Sequence, residues 1–289
     1  MRAFELNEPG TLAEATGLLD ADDPTVRPIA GGTALMLMMK SGVFQPARLV
    51  SLRGVEAQHS AITRDADGTL HIGALATLSA LGRSAEAKAA APVIHQTLKT
   101  LSNVRVRNVA TVGGALAHGD PHMDLPPVMM ALDARVTAVS PTGTRSLPVA
   151  ELYTGYYETA LARNELISEV VVPAREGWRA TYVKLTTRCA DDWPTLGIAI
   201  ALKVDSGVVA DVRMVVGAAT ETPVRLLKAE TELKGQTITD ALLARVAEAA
   251  AEVPELIDDV RGSAAYKKVL LRVHAARAIH SLQSLQNIS

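Results

Sequence analysis

The chain holds two Gly-Gly pairs in similar settings: Gly31-Gly32 after Arg27-Pro28-Ile29-Ala30, and Gly113-Gly114 after Val109-Ala110-Thr111-Val112. Each closes an apolar, strand-like run and is trailed by small or hydroxyl residues, which leaves backbone N–H groups to face a ligand. Glycine has no Cβ, so the main chain turns sharply there and lets other atoms approach. Consecutive free N–H groups form a concavity that takes an anion such as phosphate. Thr33 after the first pair and Thr111 before the second add hydroxyls. Two such loops would clasp one pyrophosphate from both sides. Neither a G-x-G-x-x-G fingerprint nor a P-loop is present, so the expectation is a dinucleotide site of another kind.

The most polar constellation is His118-Gly119-Asp120-Pro121-His122-Met123-Asp124. Imidazoles and carboxylates alternate, so an extended backbone would place all four on one face. His and Asp ligate zinc or iron, which makes a metal-dependent hydrolase using His118, Asp120, His122 and Asp124 the sharp alternative. Pro121, Pro126 and Pro127 interrupt a regular strand, and the segment directly follows the second glycine pair. Asp120 and Asp124 therefore read better as acceptors for ribityl or ribose hydroxyls. Further on, Lys184 lies on a predicted strand and is followed by Arg188, Asp191, Asp192 and Trp193. Two readings stand for this group. It is either a surface ion-pair cluster with one buried indole, or a Lys184 whose charge stabilises reduced, anionic flavin, with Trp193 over a ring face.

The elements that must position these residues follow from periodicity and caps. Thr11-Leu12-Ala13-Glu14 is a capping box, with Leu12, Ala15, Leu18 and Leu19 on one helical face. Strands are expected toward Gly31, over 48–52 and over 69–75, where Leu70, Ile72 and Ala74 alternate. A helix is expected over 85–101, interrupted or started by Pro92. Residues 104–140 read as short apolar runs mixed with loops, with a strand at 135–139 and another at 165–173. After Arg175-Glu176-Gly177 come strands over 180–187, 196–204 and 208–218, the last two joined by a hairpin turn at Asp205-Ser206-Gly207. Helices are then expected over 225–234, 240–252 and 263–282, with Ser263 as N-cap of the third. Strands followed by helices indicate α+β packing, with a domain boundary near residue 176.

At 289 residues and 48% apolar content, the chain is long enough for two domains with a sizeable core. Lys and Arg total 29 against 31 acidic residues and no basic patch stands out, so nucleic acid is not an expected partner. The longest apolar stretches, such as 35–39, are too short to span a bilayer, so no integral membrane segment is expected. Met1-Arg2-Ala3-Phe4-Glu5 opens without an apolar signal core, and the expectation is a cytoplasmic protein. Cys189 is the only cysteine, so any iron–sulfur cluster that exchanges electrons with this chain must be held by another polypeptide.

In these motifs the chain resembles the FAD-binding medium subunit of the molybdenum hydroxylases, the family of carbon monoxide dehydrogenase and xanthine dehydrogenase. Ala30-Gly31-Gly32-Thr33-Ala34-Leu35 is similar to the family's first FAD loop. Arg107-Asn108-Val109-Ala110-Thr111-Val112-Gly113-Gly114, continuing through Ala117-His118-Gly119-Asp120-Pro121 to Asp124, resembles the second. Lys184-Leu185 through Arg188 to Asp191-Asp192-Trp193 is similar to the flavin-side segment that opens the C-terminal domain. Thr222-Pro223-Val224-Arg225 and Asp259-Val260-Arg261-Gly262-Ser263-Ala264-Ala265-Tyr266 resemble signatures of that domain. Ala115 and Ala34 stand where the family often has a polar residue, and Leu101-Ser102 lacks a glycine frequent there.

The resemblance implies an α+β fold with two parts. The first is a vanillyl-alcohol-oxidase (PCMH-type) FAD-binding domain over 1–176, with lobes of about 1–57 and 58–176. The second is an antiparallel-sheet-and-helix domain over 177–289. It implies FAD held by this chain, with the amides of Gly31, Gly32, Thr33, Gly113 and Gly114 on the pyrophosphate and Thr111 adding a hydroxyl. Asp124 would bind a sugar hydroxyl, Ile167 would pack near the ring system, and Lys184 and Trp193 would flank the isoalloxazine. Ala30, Ala34, Leu35, Ala115, Asp120 and Asp192 complete the implied cofactor-binding set. No residue of this chain is implied to touch an organic substrate. The implied partners are a small iron–sulfur subunit with [2Fe–2S] clusters and a large molybdenum subunit with a molybdopterin-type cofactor, as a dimer of heterotrimers. Electrons would pass from the clusters to FAD and on to an external acceptor. A stand-alone flavin oxidase or dehydrogenase of the same fold is the alternative.

Overall fold

The computed structural model describes residues 2–253 and 255–284, so Met1 and the last residues of the expected C-terminal domain lie outside the described residues. β1 (Glu5–Asn7) leads into α1 (Leu12–Leu18), whose start is the expected capping box. The Thr11 hydroxyl accepts from the Glu14 amide at 3.1 Å, and the Glu14 carboxylate accepts from the Thr11 amide at 3.3 Å. β2 (Val26–Ile29), α2 (Leu35–Lys40) and β3 (Arg48–Ser51) follow. The three strands form a parallel sheet in the order β1-β3-β2, and Leu12, Ala15, Val26 and Val50 share its core with Leu166.

A second, antiparallel sheet begins with β4 (Ile62–Arg64) and β5 (Leu70–Gly73). Six short helices intervene: α3 (Leu78–Arg83), α4 (Ala85–Ala90), α5 (Pro92–Thr100), α6 (Val104–Arg107), α7 (Val112–Ala117) and α8 (Leu125–Ala131). β6 (Arg135–Ser140), β7 (Gly143–Pro148), β8 (Tyr153–Gly155), β9 (Glu158–Thr159) and β10 (Leu166–Val172) complete this part. The order is β4-β5-β10-β6-β7, with β8 and β9 paired separately. Pro92 splits the expected 85–101 helix into α4 and α5, because proline has no N–H to continue the first. The stretch over 104–140, expected as short apolar runs mixed with loops, holds α6, α7 and α8. At four to seven residues each, they are too short for a 3.6-residue period to show.

The third sheet runs β11 (Trp178–Leu185), β12 (Leu196–Asp205), β13 (Val208–Gly217) and β14 (Val224–Arg225), antiparallel and in chain order. α9 (Leu227–Leu233), α10 (Asp240–Ala250) and α11 (Ala264–Ser284) follow, and the Ser263 hydroxyl accepts from the Tyr266 amide at 3.1 Å as the expected cap of α11. Ser206 and Gly207, with φ of 50° and 83°, make the expected hairpin turn in the left-handed form that matches strand twist. β12 is buried on both faces. Ile198, Ile200 and Leu202 pack with the helices, whereas Ala199 and Ala201 join the core of the second sheet, where α8 lies. Small residues on that face let α8 come close; a Cβ on Gly217 would lie 3.0 Å from Pro127 Cγ. This packing brings Asp124, which precedes α8, up to β11. Among the described residues, no helix is long and apolar enough to cross a membrane.

Candidate cofactor-binding site

A cleft of about 540 Å³ is lined by residues from all three sheet units. That volume falls in the range of about 300–1,000 Å³ usual for small-molecule sites. Ala30, Gly31, Gly32, Thr33, Ala34, Leu35, Thr111, Gly113, Gly114, Ala115, Asp120, Asp124, Ile167, Lys184, Asp192 and Trp193 all line it, so the structure brings every expected cofactor-facing residue together.

The two glycine loops are not equivalent. The first follows β2 as expected. A Cβ on Gly31 would collide with the Val109 carbonyl, so the missing side chain lets the second loop press directly on the first. Gly32 has φ of +68°, the left-handed region that glycine tolerates. Among the described residues, none accepts a hydrogen bond from the amides of Gly31, Gly32, Thr33 or Ala34. The second pair lies in the first turn of α7 and not at a strand end. There Gly113 N donates to Ala74 O at 2.8 Å, and Gly114 N donates to Thr111 Oγ1 at 3.2 Å. A Cβ on Gly113 would lie 2.7 Å from the Ala74 Cβ. The expectation of free amides in both loops thus holds for the first alone. In the second, the helix cap and the neighbouring strand end use the donors, and the glycines serve close packing.

The segment from His118 to Asp124 is a turn and not an extended strand. The His118 ring meets Tyr157 edge-on at 5.2 Å, and burial holds its pKa below the ordinary value. Asp120 Oδ1 accepts from the His122 amide at 2.9 Å and lies 3.2 Å from His122 Nδ1. Burial pushes the Asp120 carboxyl up, but the bonds from His122 outweigh it and hold it low. Asp124 turns the other way: Oδ1 accepts from the Tyr182 hydroxyl at 2.7 Å, and Oδ2 accepts from Lys184 Nζ at 2.9 Å. Asp120 and His122 stay together while His118 and Asp124 turn to other partners, so the four-residue metal arrangement does not form. Among the described residues, no three of His, Cys, Asp and Glu come together as a metal site.

Lys184 and Asp124 are each 6% exposed. Lys184 Nζ also donates to Thr100 O at 2.9 Å, which commits two of its three N–H groups and leaves one for a ligand atom in the cleft. Burial pushes the Asp124 carboxyl above its ordinary value against the pull of Lys184 and Tyr182. Trp193 is not the buried indole of the ion-pair reading; it is half-exposed, with the Arg261 guanidinium 5.3 Å from its ring. Sequence reasoning missed Arg27 and Tyr182. Arg27 lines the cleft from β2, stands 5.8 Å from the Phe44 ring and has no carboxylate partner among the described residues. Its signal was a cation directly preceding the first glycine loop. Tyr182 was findable from its i, i+2 relation to Lys184, which puts both on one face of β11.

A loop of unspent amides, a second loop packed against it and a buried lysine on a neighbouring sheet define a two-part α+β protein built around a nucleotide-type cofactor. Residues 2–175 match the family described as the FAD binding domain in molybdopterin dehydrogenase, and residues 181–282 match the CO dehydrogenase flavoprotein C-terminal domain. The chain belongs to this family of FAD-binding oxidoreductase subunits. It is 30% identical over 279 residues to the carbon monoxide dehydrogenase medium chain of Hydrogenophaga pseudoflava, covering 96% of each chain. It is 28% identical over 268 residues to the glyceraldehyde dehydrogenase medium chain of Sulfolobus acidocaldarius, covering 93% of this chain and 94% of that one. The solved structure of the Hydrogenophaga pseudoflava carbon monoxide dehydrogenase superposes with a TM-score of 0.93 at 31% identity, over 98% of both chains.

Proposed function

We propose that this chain is the FAD-bearing, electron-transferring medium subunit of a molybdenum hydroxylase complex. The observation that carries this is the run of four unspent amides from Gly31 to Ala34 in a cleft narrowed by the second glycine loop. Such donors satisfy a pyrophosphate without a Rossmann turn. Ala30 and Leu35 flank that run, and Thr111, Gly113, Gly114 and Ala115 close the opposite side. Asp120 and Asp124 accept from sugar hydroxyls, Asp124 with its remaining acceptor capacity, since Tyr182 and Lys184 already use each of its oxygens once. Lys184 offers its third N–H to the ring, Ile167 and Trp193 pack beside it, and Asp192 braces the Trp193 amide at 2.8 Å. When bound, FAD supplies two-electron storage that exchanges with one-electron carriers. In this reading the FAD domain spans 1–176, as lobes 1–57 and 58–176, and the C-terminal domain spans 177–289.

The partners proposed are a small subunit with [2Fe–2S] clusters and a large molybdenum subunit, as a dimer of heterotrimers. Support comes from the relatives, which are named as medium chains of dehydrogenases with different substrates, carbon monoxide and glyceraldehyde. The test is a titration of the purified chain with FAD, followed by its absorption spectrum and by mass identification of cofactor released on heating. The expected result is non-covalent FAD at one per chain. A chain that stays colourless at saturating FAD would overturn the reading.

A further inference from the structure

We infer that Lys267, which does not line the cleft, is a positioning residue that registers two segments of its wall, the His118–Asp124 turn and the loop carrying Asp192 and Trp193. Lys267 lies on α11 with its side chain fully buried. Its Nζ donates to Asp259 Oδ2 at 2.6 Å and to Ala218 O at 3.3 Å. Both partners bond the His118–Asp124 turn, which lines the cleft through His118, Asp120, His122 and Asp124. Asp259 Oδ2 lies 3.1 Å from His122 Nε2, and His122 in turn bonds Asp120. Ala218 donates its own amide to Pro121 O at 3.1 Å. One ammonium thus grips the His118–Asp124 turn at two points, through a side chain and through the backbone. Ala218 holds φ of +63°, a left-handed conformation that alanine adopts only when its surroundings over-determine it.

The same carboxylate governs the second segment. Asp259 Oδ1 accepts from the Arg261 amide at 2.8 Å, closing a tight turn in which Asp259 and Gly262 also exchange backbone bonds. That turn aims Arg261 at the loop carrying Asp192 and Trp193. The Arg261 guanidinium lies 5.3 Å from the Trp193 ring, its Nε donates to Trp193 O at 3.4 Å, and its Nη2 is 4.0 Å from Asp192 Oδ1. Buried ion pairs contribute little net stability compared with apolar packing of the same volume. α11 otherwise packs with Leu271, Ala275 and Ala278, so an apolar residue would serve a merely structural role at position 267.

The test uses the full chain in a Trp178→Phe background, where Trp193 is the sole indole. Lys267→Met is expected to raise acrylamide quenching of Trp193 and to weaken FAD binding at least tenfold, about 1.4 kcal/mol. Lys267→Met with Asp259→Leu removes both charges of the pair, the buried ammonium and the half-buried carboxylate. It is expected to regain stability while quenching stays high and FAD binding stays weak. A structural role alone requires affinity to recover together with stability. Should the single variant not fold, the double variant carries the same test. Wild-type quenching and wild-type FAD affinity in either folded variant would overturn the proposal. The affinity arm rests on the FAD reading. If the unmutated chain takes no FAD, that reading fails on its own, and the quenching of Trp193 still decides the role of Lys267.

Discussion

Lys184→Met tests the electrostatics of the site most directly. The substitution deletes the ammonium from a pair in which both side chains are 6% exposed and takes away two hydrogen bonds of 2.9 Å, to Asp124 and to the Thr100 carbonyl. The Tyr182 hydroxyl remains on Asp124 at 2.7 Å, but a hydroxyl cannot neutralise a carboxylate. Removing one partner of a buried pair costs about 3–5 kcal/mol because the survivor is left charged and unpaired. Asp124→Asn added to Lys184→Met removes that charge, and the double variant should return to within about 1–2 kcal/mol of wild type. The pH dependence has a definite sign. Burial already holds the Asp124 carboxyl above its ordinary 3.8, so its contribution to stability is greatest below that value and is lost as pH rises through the folded value. Without Lys184 the folded value climbs further. The deficit of the single variant should therefore be larger at pH 7.5 than at pH 5, and the double variant should show no such slope. Urea unfolding at both pH values, followed by circular dichroism with m-values compared, measures this. Equal losses in the single and double variants, or a loss independent of pH, would refute the reasoning.

Arg27→Gln should weaken FAD binding about tenfold, roughly 1.4 kcal/mol, and leave riboflavin binding unchanged, because the guanidinium lines the cleft with no carboxylate partner among the described residues. Equal effects on both ligands in parallel titrations would remove phosphate as its partner. Gly31→Ala drives a Cβ into the Val109 backbone carbonyl, which cannot rotate away, so its cost should exceed the about 1–3 kcal/mol of ordinary overpacking. A thermal scan of the variant without cofactor, showing an unchanged midpoint, would contradict the contact between the loops. His71 sits 3.0 Å from both Asp65 and Glu169; burial works against its charge, but those bonds outweigh it and raise its pKa above 6.5. Its contribution is therefore complete below pH 6.5 and lost as pH rises through the folded value. His71→Gln should lose more stability at pH 5.5 than at pH 9 by urea unfolding.

What could be read from the sequence was local chemistry. The capping box at Thr11, the Ser206-Gly207 turn and the loop after β2 depend on a few adjacent residues, and each forms as the residue types require. What escaped depends on partners far along the chain. Gly113 looked like a ligand contact, yet the atoms that exclude a Cβ there belong to Ala74. Asp124 looked like a sugar acceptor, and its first partners prove to be Tyr182 and Lys184, 58 and 60 positions later. The helices α6, α7 and α8 are each shorter than the window in which a period can be recognised. Lys267 lies between these cases. It stands one turn before Leu271 on the stripe continued by Ala275, Ala278 and Leu282, all buried, so its spacing alone marks a cation on an apolar face. The chain could therefore show that something must compensate that charge. Only the fold shows that the compensation is Asp259, a carboxylate shared with His122 from across the domain junction. A lone charge within a helix's apolar stripe thus points to a polar contact between elements, and in this protein that contact reaches the wall of the cofactor cleft.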